Sequence, residues 1–134
     1  MIAYNTYSTT MFNPNRMRKV LETLAEKMPE WMKEYDFDTI AITGKSGLAL
    51  GFALQLYVPG LHVVAVRKGE STHGDMVEGD GHSFTRYAFF DDFMQSGDTK
   101  HRVHGELCSY ARNREQAEPV LAIVIEYDRL DLEF

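Results

Sequence analysis

The chain predicts an α/β fold with a mostly parallel sheet. Three observations carry that reading. Short apolar, β-rich runs recur at Asp38–Thr43, Leu61–Val66, Tyr87–Asp91 and Val120–Ile125. Segments of helical pattern separate most of them, and glycine, proline or polar clusters mark the changes. Strands that alternate with helices in this way build parallel sheets. With 134 residues, 44% of them apolar and 25% charged, the chain suits a single domain over 1–134 with one real core.

Each element has its own signal. Asn13-Pro14 reads as a helix cap followed by proline at the first helical position. Met17, Val20, Leu21, Leu24, Met28, Trp31, Met32 and Tyr35 then recur at helical steps, which predicts one buried face. Pro29 is expected to kink or split that helix. After the first strand, Gly44–Gly47 breaks the pattern, and a helix starting at Ser46 or Gly47 runs through Leu48, Phe52, Leu54 and Leu56. Gly51 inside it implies close packing on the sheet. Pro59-Gly60 is a turn before the second strand. From Gly69 to His82 no apolar period exists, so a functional or mobile loop is expected. A helix from Gly97 to about Asn113 precedes the last strand, and Glu126–Phe134 is an acidic tail.

Composition excludes several classes. No apolar run approaches the roughly 20 residues that span a bilayer. The start, Met1-Ile2-Ala3-Tyr4-Asn5, lacks a signal-peptide pattern, so a cytoplasmic location is expected. A net charge of −6 argues against nucleic acid but not against a small anion. Cys108 is the only cysteine and is expected in a helix core. His101 and His104 share a helix face but lack further ligands in sequence, so no metal site is expected there. His62 and His82 read as an edge and a loop histidine, and Arg86, Lys100 and Arg102 as solvated surface.

The chemistry concentrates in Tyr87-Ala88-Phe89-Phe90-Asp91-Asp92-Phe93-Met94-Gln95-Ser96-Gly97-Asp98-Thr99. Ligands of open α/β sheets sit beyond the carboxyl ends of the strands. This segment puts two acids there, next to a helix start. The N–H groups of Ser96–Thr99, with the Ser96 and Thr99 hydroxyls, suit a phosphate. Asp91 and Asp92 would repel that phosphate on contact, but one sugar away they accept hydrogen bonds from neutral hydroxyls. A sugar phosphate satisfies both demands.

The segment resembles the phosphoribosyl-pyrophosphate motif of type I phosphoribosyltransferases: an apolar strand, two acids, three mostly apolar residues, then Thr/Ser-Gly-x-Thr. The resemblance implies a three-layer fold with helices on both faces and a minimal hood. It gives Asp91 and Asp92 the ribose 2- and 3-hydroxyls, and Ser96, Gly97, Asp98 and Thr99 the 5-phosphate. Asp98 replaces a small residue, so its carboxylate must point away. Thr43-Gly44-Lys45-Ser46-Gly47 resembles the family's pyrophosphate loop. It is not an ATP-binding P-loop, because position 39 is Thr where a glycine is needed, and no dinucleotide Gly-x-Gly-x-x-Gly occurs. Arg67-Lys68-Gly69-Glu70-Ser71-Thr72-His73-Gly74 is most similar to the flexible loop of orotate phosphoribosyltransferases, with Ser71 where that family has a second lysine.

The resemblance therefore implies transfer of ribose 5-phosphate from phosphoribosyl pyrophosphate to a small nitrogenous base. Asp91, Asp92, Lys68 and His73 take catalytic places; Gly44, Lys45, Ser46, Gly47 and Arg67 bind substrate with the 96–99 turn. Mg²⁺ is implied, held mainly by substrate, with no residue assigned as its ligand, and so is a homodimer. Residues 1–12 and 126–134 are the hood candidates, with Tyr4, Tyr7, Phe12, Tyr127 or Phe134 as base-stacking residues. A non-catalytic sensor or scaffold that binds the same ligand is the alternative, favoured by Ser71. A receiver domain fits poorly, because its acidic pair follows the first strand.

Overall fold

A computed structural model describes residues 9–69, 76–94 and 96–130. The elements in chain order are α1 (Thr9–Phe12), α2 (Pro14–Tyr35), β1 (Thr39–Ile42), α3 (Gly44–Tyr57), β2 (His62–Val66), β3 (Val77–Glu78), β4 (Arg86–Asp91), α4 (Asp98–Asn113) and β5 (Val120–Glu126), followed by a 3-10 turn, Tyr127–Arg129. The sheet order is β3-β2-β1-β4-β5. Pairs β1/β2, β1/β4 and β4/β5 are parallel, with Ile40 opposite Val63 and Phe90 opposite Ile125. The short β3 joins antiparallel to β2.

The sheet lies between two helical layers, as expected. On one face Val20, Leu24 and Met28 of α2 and Leu50 and Leu54 of α3 pack on Ile40, Ile42, Ala88 and Phe90. On the other, Val103 and Leu107 of α4 pack on Ala41, Val64, Tyr87 and Phe89. Alternate residues of β1 and β4 serve alternate faces, the period of a strand buried on both sides. Each fully buried side chain of this size contributes about 1.5–3 kcal/mol.

Several boundaries differ from the sequence expectation. Asn13 caps α2 as expected, its side chain accepting from the Arg16 N–H at 3.1 Å. The helix then runs through Pro29 as one element rather than splitting. Its C-terminus is held by Arg86, whose guanidinium donates to the Tyr35 and Asp36 carbonyls at 3.0 Å. Arg86 is thus a structural cap rather than a solvated charge. Helix α3 begins at Gly44, earlier than Ser46 or Gly47, because Gly44 takes a φ of 65° directly after β1. Gly51 does pack closely: a Cβ there would lie 2.9 Å from Ile42 Cγ2. The stretch expected as loop contains β3, too short to show a strand period. Among the described residues, no helix is long and apolar enough to cross a membrane.

Candidate active site

The site lies where the chain changes direction across the sheet. The crossover after β1 leads through α3 to β2, and the one after β4 leads through α4 to β5, so the two paths diverge on opposite faces. Between β1 and β4 the carboxyl ends therefore open a crevice, the usual ligand position of such sheets. Two helix N-termini, those of α3 and α4, border it. Their first-turn N–H groups lack intrahelical partners and favour anions.

Asp91 is the last residue of β4 and only 8% exposed. Its Oδ1 accepts from Ser46 Oγ at 2.8 Å and from the Asp92 N–H at 2.9 Å. Asp92 Oδ1 accepts from the Phe93 N–H at 2.7 Å. Burial pushes the Asp92 carboxyl above its ordinary range, against the lowering effect of the Phe93 bond and with help from the Asp91 charge. The two acids share a cavity of about 290 Å³ with Phe93, Met94, Ser96, Gly97 and Thr99. Carboxylate ledge and helix mouth thus face one space, large enough for a sugar phosphate. Gly97 turns the chain into α4 with a φ of 81°. Asp98 is exposed and does not line the cavity, as its charge requires.

Gly44, Lys45, Ser46 and Gly47 form the first turn of α3 rather than a separate loop. Gly47 is pressed on the sheet, where a Cβ would lie 3.1 Å from the Phe90 carbonyl oxygen. A Cβ at Gly44 would stand 2.8 Å from Lys68 Nζ, so the Lys68 ammonium lies over this turn. Lys45 is exposed, its ammonium 5.8 Å from the Phe12 ring. Two of these side chains have protein partners. The Ser46 hydroxyl is spent on Asp91, which makes it a positioning group. Arg67 is placed against β3, its Nε 2.6 Å from Glu78 Oε1; that contact pulls the Glu78 carboxyl down. His73, Ser71 and Gly74 lie outside the described residues, as do the hood candidates Tyr4, Tyr7 and Phe134.

Sequence reasoning missed the support behind the ledge. Glu126 accepts from the Met94 N–H at 2.9 Å and pairs with Arg129 at 2.7 Å; Arg129 donates to the Met94 carbonyl at 3.2 Å. The Asp128 N–H donates to the Asp92 carbonyl at 2.9 Å, and the Asp128 side chain bonds Thr10. Tyr127 is 1% exposed and donates to the Ser46 carbonyl at 2.6 Å, so it is not a base-stacking residue. Burial first, then the acids around it, raises its phenol. The described part of the acidic tail is a brace for the segment after β4. A run of charges offers no pattern from which that role can be read. Arg102, too, is structural: it donates to the Arg67 carbonyl and to Thr43 Oγ1, both at 2.9 Å. Cys108 is half-buried rather than core, and burial raises its thiol. His104 bonds the Tyr87 hydroxyl at 2.6 Å.

No protein-family model matches the sequence, and no curated protein matches it significantly. Solved structures do. UMP synthase from Leishmania donovani superposes with a TM-score of 0.62 at 23% identity over 91% of this chain; the chain spans 24% of that one. Orotate phosphoribosyltransferase from Aeropyrum pernix gives 0.57 at 15% identity, over 91% of this chain and 78% of the other. The Mycobacterium tuberculosis orotate phosphoribosyltransferase in complex with 5-phospho-alpha-D-ribosyl 1-diphosphate gives 0.53 at 14% identity, over 78% and 58%. The chain therefore has the three-layer α/β fold of the type I phosphoribosyltransferases.

Proposed function

We propose that the chain is a phosphoribosyltransferase that joins ribose 5-phosphate, taken from phosphoribosyl pyrophosphate, to a nitrogenous base. The observation that carries this is the single cavity shared by Asp91, Asp92 and the α4 mouth. The α4 N-terminus receives the 5-phosphate, and the acids accept hydrogen bonds from the 2- and 3-hydroxyls. The diphosphate then reaches the α3 N-terminus, where Lys68 and Lys45 add positive charge. A base nitrogen attacks C1, the bond from C1 to the diphosphate oxygen breaks, and the diphosphate leaves with the electron pair. Fixed N–H groups and lysines stabilise the leaving charge without reorganisation. The carboxylate oxygens of Asp91 and Asp92 are the hard donors here that fit Mg²⁺, and their mutual repulsion is relieved by a cation. Bound mainly to substrate, Mg²⁺ would supply charge neutralisation of the diphosphate.

The orotate-type order Arg67-Lys68, His73-Gly74 and the orotate phosphoribosyltransferases among the similar structures make orotate the first base to assay. Among the described hood candidates, Phe12, 67% exposed beside Lys45, offers an aromatic surface to a base. A homodimer belongs to the same proposal: Phe52, Leu56 and Tyr57 are exposed on α3 and would be covered by a second copy. Ser71 in place of the loop lysine favours a second reading, a binder of the ligand without turnover. Soluble, cytoplasmic expression is part of the proposal, as is the absence of nucleic-acid partners at a net charge of −6.

Calorimetry with phosphoribosyl pyrophosphate and Mg²⁺ tests the site. Saturable binding is expected, weakened at least about 100-fold in Asp91→Asn/Asp92→Asn, since two hydrogen bonds to charged acceptors are lost. Unchanged affinity in that folded variant overturns the assignment. Pyrophosphate release with a panel of bases separates the two readings: turnover with any base removes the non-catalytic one, and tight binding with none removes the enzyme.

A further inference from the structure

Four polar side chains meet at the opposite end of the sheet from the candidate active site. Asp38 immediately precedes β1, His62 opens β2, and Asp80 and His82 lie in the connection between β3 and β4. The two imidazole rings stack in parallel, centroids 3.7 Å apart and planes 3° apart. Each also meets a carboxylate: His62 Nδ1 is 2.9 Å from Asp80 Oδ2, and His82 Nε2 is 2.8 Å from Asp38 Oδ2. The His82 N–H donates to Asp80 Oδ1 at 2.9 Å, and Thr39 Oγ1 donates to Asp38 Oδ1 at 2.8 Å. One ligating atom from each of Asp38, His62 and His82 lies within 4.8 Å of the others.

We propose that Asp38, His62 and His82, with Asp80 completing the set, bind one divalent transition-metal ion of the zinc type, separate from the sugar-phosphate site. Two imidazole nitrogens with two carboxylate oxygens are the donor set of a borderline ion; Mg²⁺ or Ca²⁺ would favour oxygen alone. Bonds of about 2.0–2.1 Å place tetrahedral ligand atoms roughly 3.3 Å apart, so Asp38, His62 and His82 close by a contraction of at most about 1.5 Å. The side chains can move that far, because each is partly exposed, from 29% at His62 to 62% at Asp80. Gly81, with a φ of 84°, gives the connection that carries His82 its freedom.

The stack itself is not a ligating arrangement. An imidazole lone pair lies in the ring plane, so two parallel rings cannot aim at one ion. Binding must turn one ring and break the stack, which makes a direct readout. The sequence hid the site because its ligands come from three separate segments, with none of the close spacing of a metal motif.

The test uses the 134-residue chain, stripped with chelator and titrated with Zn²⁺ by calorimetry and with Co²⁺ by visible absorption. One equivalent is expected to bind with micromolar or tighter affinity. Co²⁺ should give the intense d–d band of a four-coordinate site, and the His62 and His82 ring signals should shift together in NMR spectra. His62→Gln and His82→Gln should each weaken binding at least about tenfold, as loss of a direct ligand requires, with circular dichroism unchanged. Asp80→Asn, at an exposed position, gives the same test should a histidine variant unfold. His101→Gln/His104→Gln should leave affinity unchanged. No saturable binding, ring signals that do not move, or loss that follows His101 and His104 instead overturns the proposal. Each of these outcomes leaves the sugar-phosphate reading untouched, because that ligand is absent from the titration.

Discussion

Ser46 shows what a motif hides at the scale of a residue. By position it belongs to the diphosphate turn, but its hydroxyl donates to Asp91 at 2.8 Å. Its effect on binding should therefore pass through the sugar. Ser46→Ala is expected to weaken phosphoribosyl pyrophosphate about tenfold, the worth of one hydrogen bond to a charged group. Ribose 5-phosphate, which has no diphosphate, should lose the same factor. A calorimetric loss confined to the diphosphate ligand would put the hydroxyl on the diphosphate and end this view. Asp92 carries a cost to stability instead. Its folded carboxyl is held above the ordinary value because it is half-buried beside Asp91. The folded state thus binds that proton more tightly than the unfolded chain does. Its contribution to stability is full below the unfolded value near 3.9 and is lost as pH rises through the folded one. Asp92→Asn, which never ionises, should melt higher than the parent at pH 7 and together with it near pH 3, while losing ligand affinity. A lower melting temperature at pH 7 would falsify this account.

At the scale of elements, what was legible in the sequence was whatever local chemistry dictates. The strands β1, β2, β4 and β5, the Asn13 cap and the start of α4 follow from β-rich runs and turn residues, and the structure has them within a residue or two. Asp91, Asp92, Ser96, Gly97 and Thr99 were legible for the same reason: they are contiguous, and contiguity alone brings them to one cavity. The brace from Glu126 to Arg129 was not, because its partners Met94 and Asp92 are more than thirty positions away. Nor was β3, whose two residues are placed by pairing with Ala65 and Val66 and by the Arg67 contact to Glu78. The glycines of α3 lie between these cases. Their presence suggests close packing, yet only the structure says what each one meets. Alanine gains about 1 kcal/mol of helix propensity over glycine, and overpacking costs about 1–3 kcal/mol. At Gly47 the obstacle is backbone, the Phe90 carbonyl oxygen at 3.1 Å, which cannot retreat. At Gly51 it is Ile42 Cγ2 at 2.9 Å, a branch on the β-carbon of a fully buried side chain, which moves only if χ1 turns within the packed core. Urea denaturation should show Gly47→Ala and Gly51→Ala each destabilised by about 1–2 kcal/mol. A neutral or stabilising effect at both positions would mean that α3 floats on the sheet and does not fix Ser46.

For the whole molecule, the question is how a chain of net charge −6 takes up a polyanion. Apart from Lys45 and Lys68, the chain carries a net −8. At 20 Å in water each unit pair contributes about 0.2 kcal/mol, so that remainder repels each ligand charge by about 1.7 kcal/mol. Lys45 and Lys68, beside the α3 turn, act from the near side. At about 8 Å each attracts by about 0.5 kcal/mol, which offsets more than half of the repulsion at contact and less of it further out. The approach is therefore uphill until the last few ångströms. Salt shortens the Debye length from about 30 Å at 0.01 M to about 8 Å at 0.15 M, which removes the distant repulsion before it touches the local attraction. The association rate of phosphoribosyl pyrophosphate, followed by stopped flow at fixed Mg²⁺, should thus rise with salt over that range, the reverse of a site steered by a basic patch. Lys45→Ala/Lys68→Ala should lower the rate at every ionic strength and steepen its rise, because only repulsion is left to screen. A rate that falls with salt in the parent chain would show that the two lysines dominate the far field, and that the acidic surface lies mainly on the side away from the crevice.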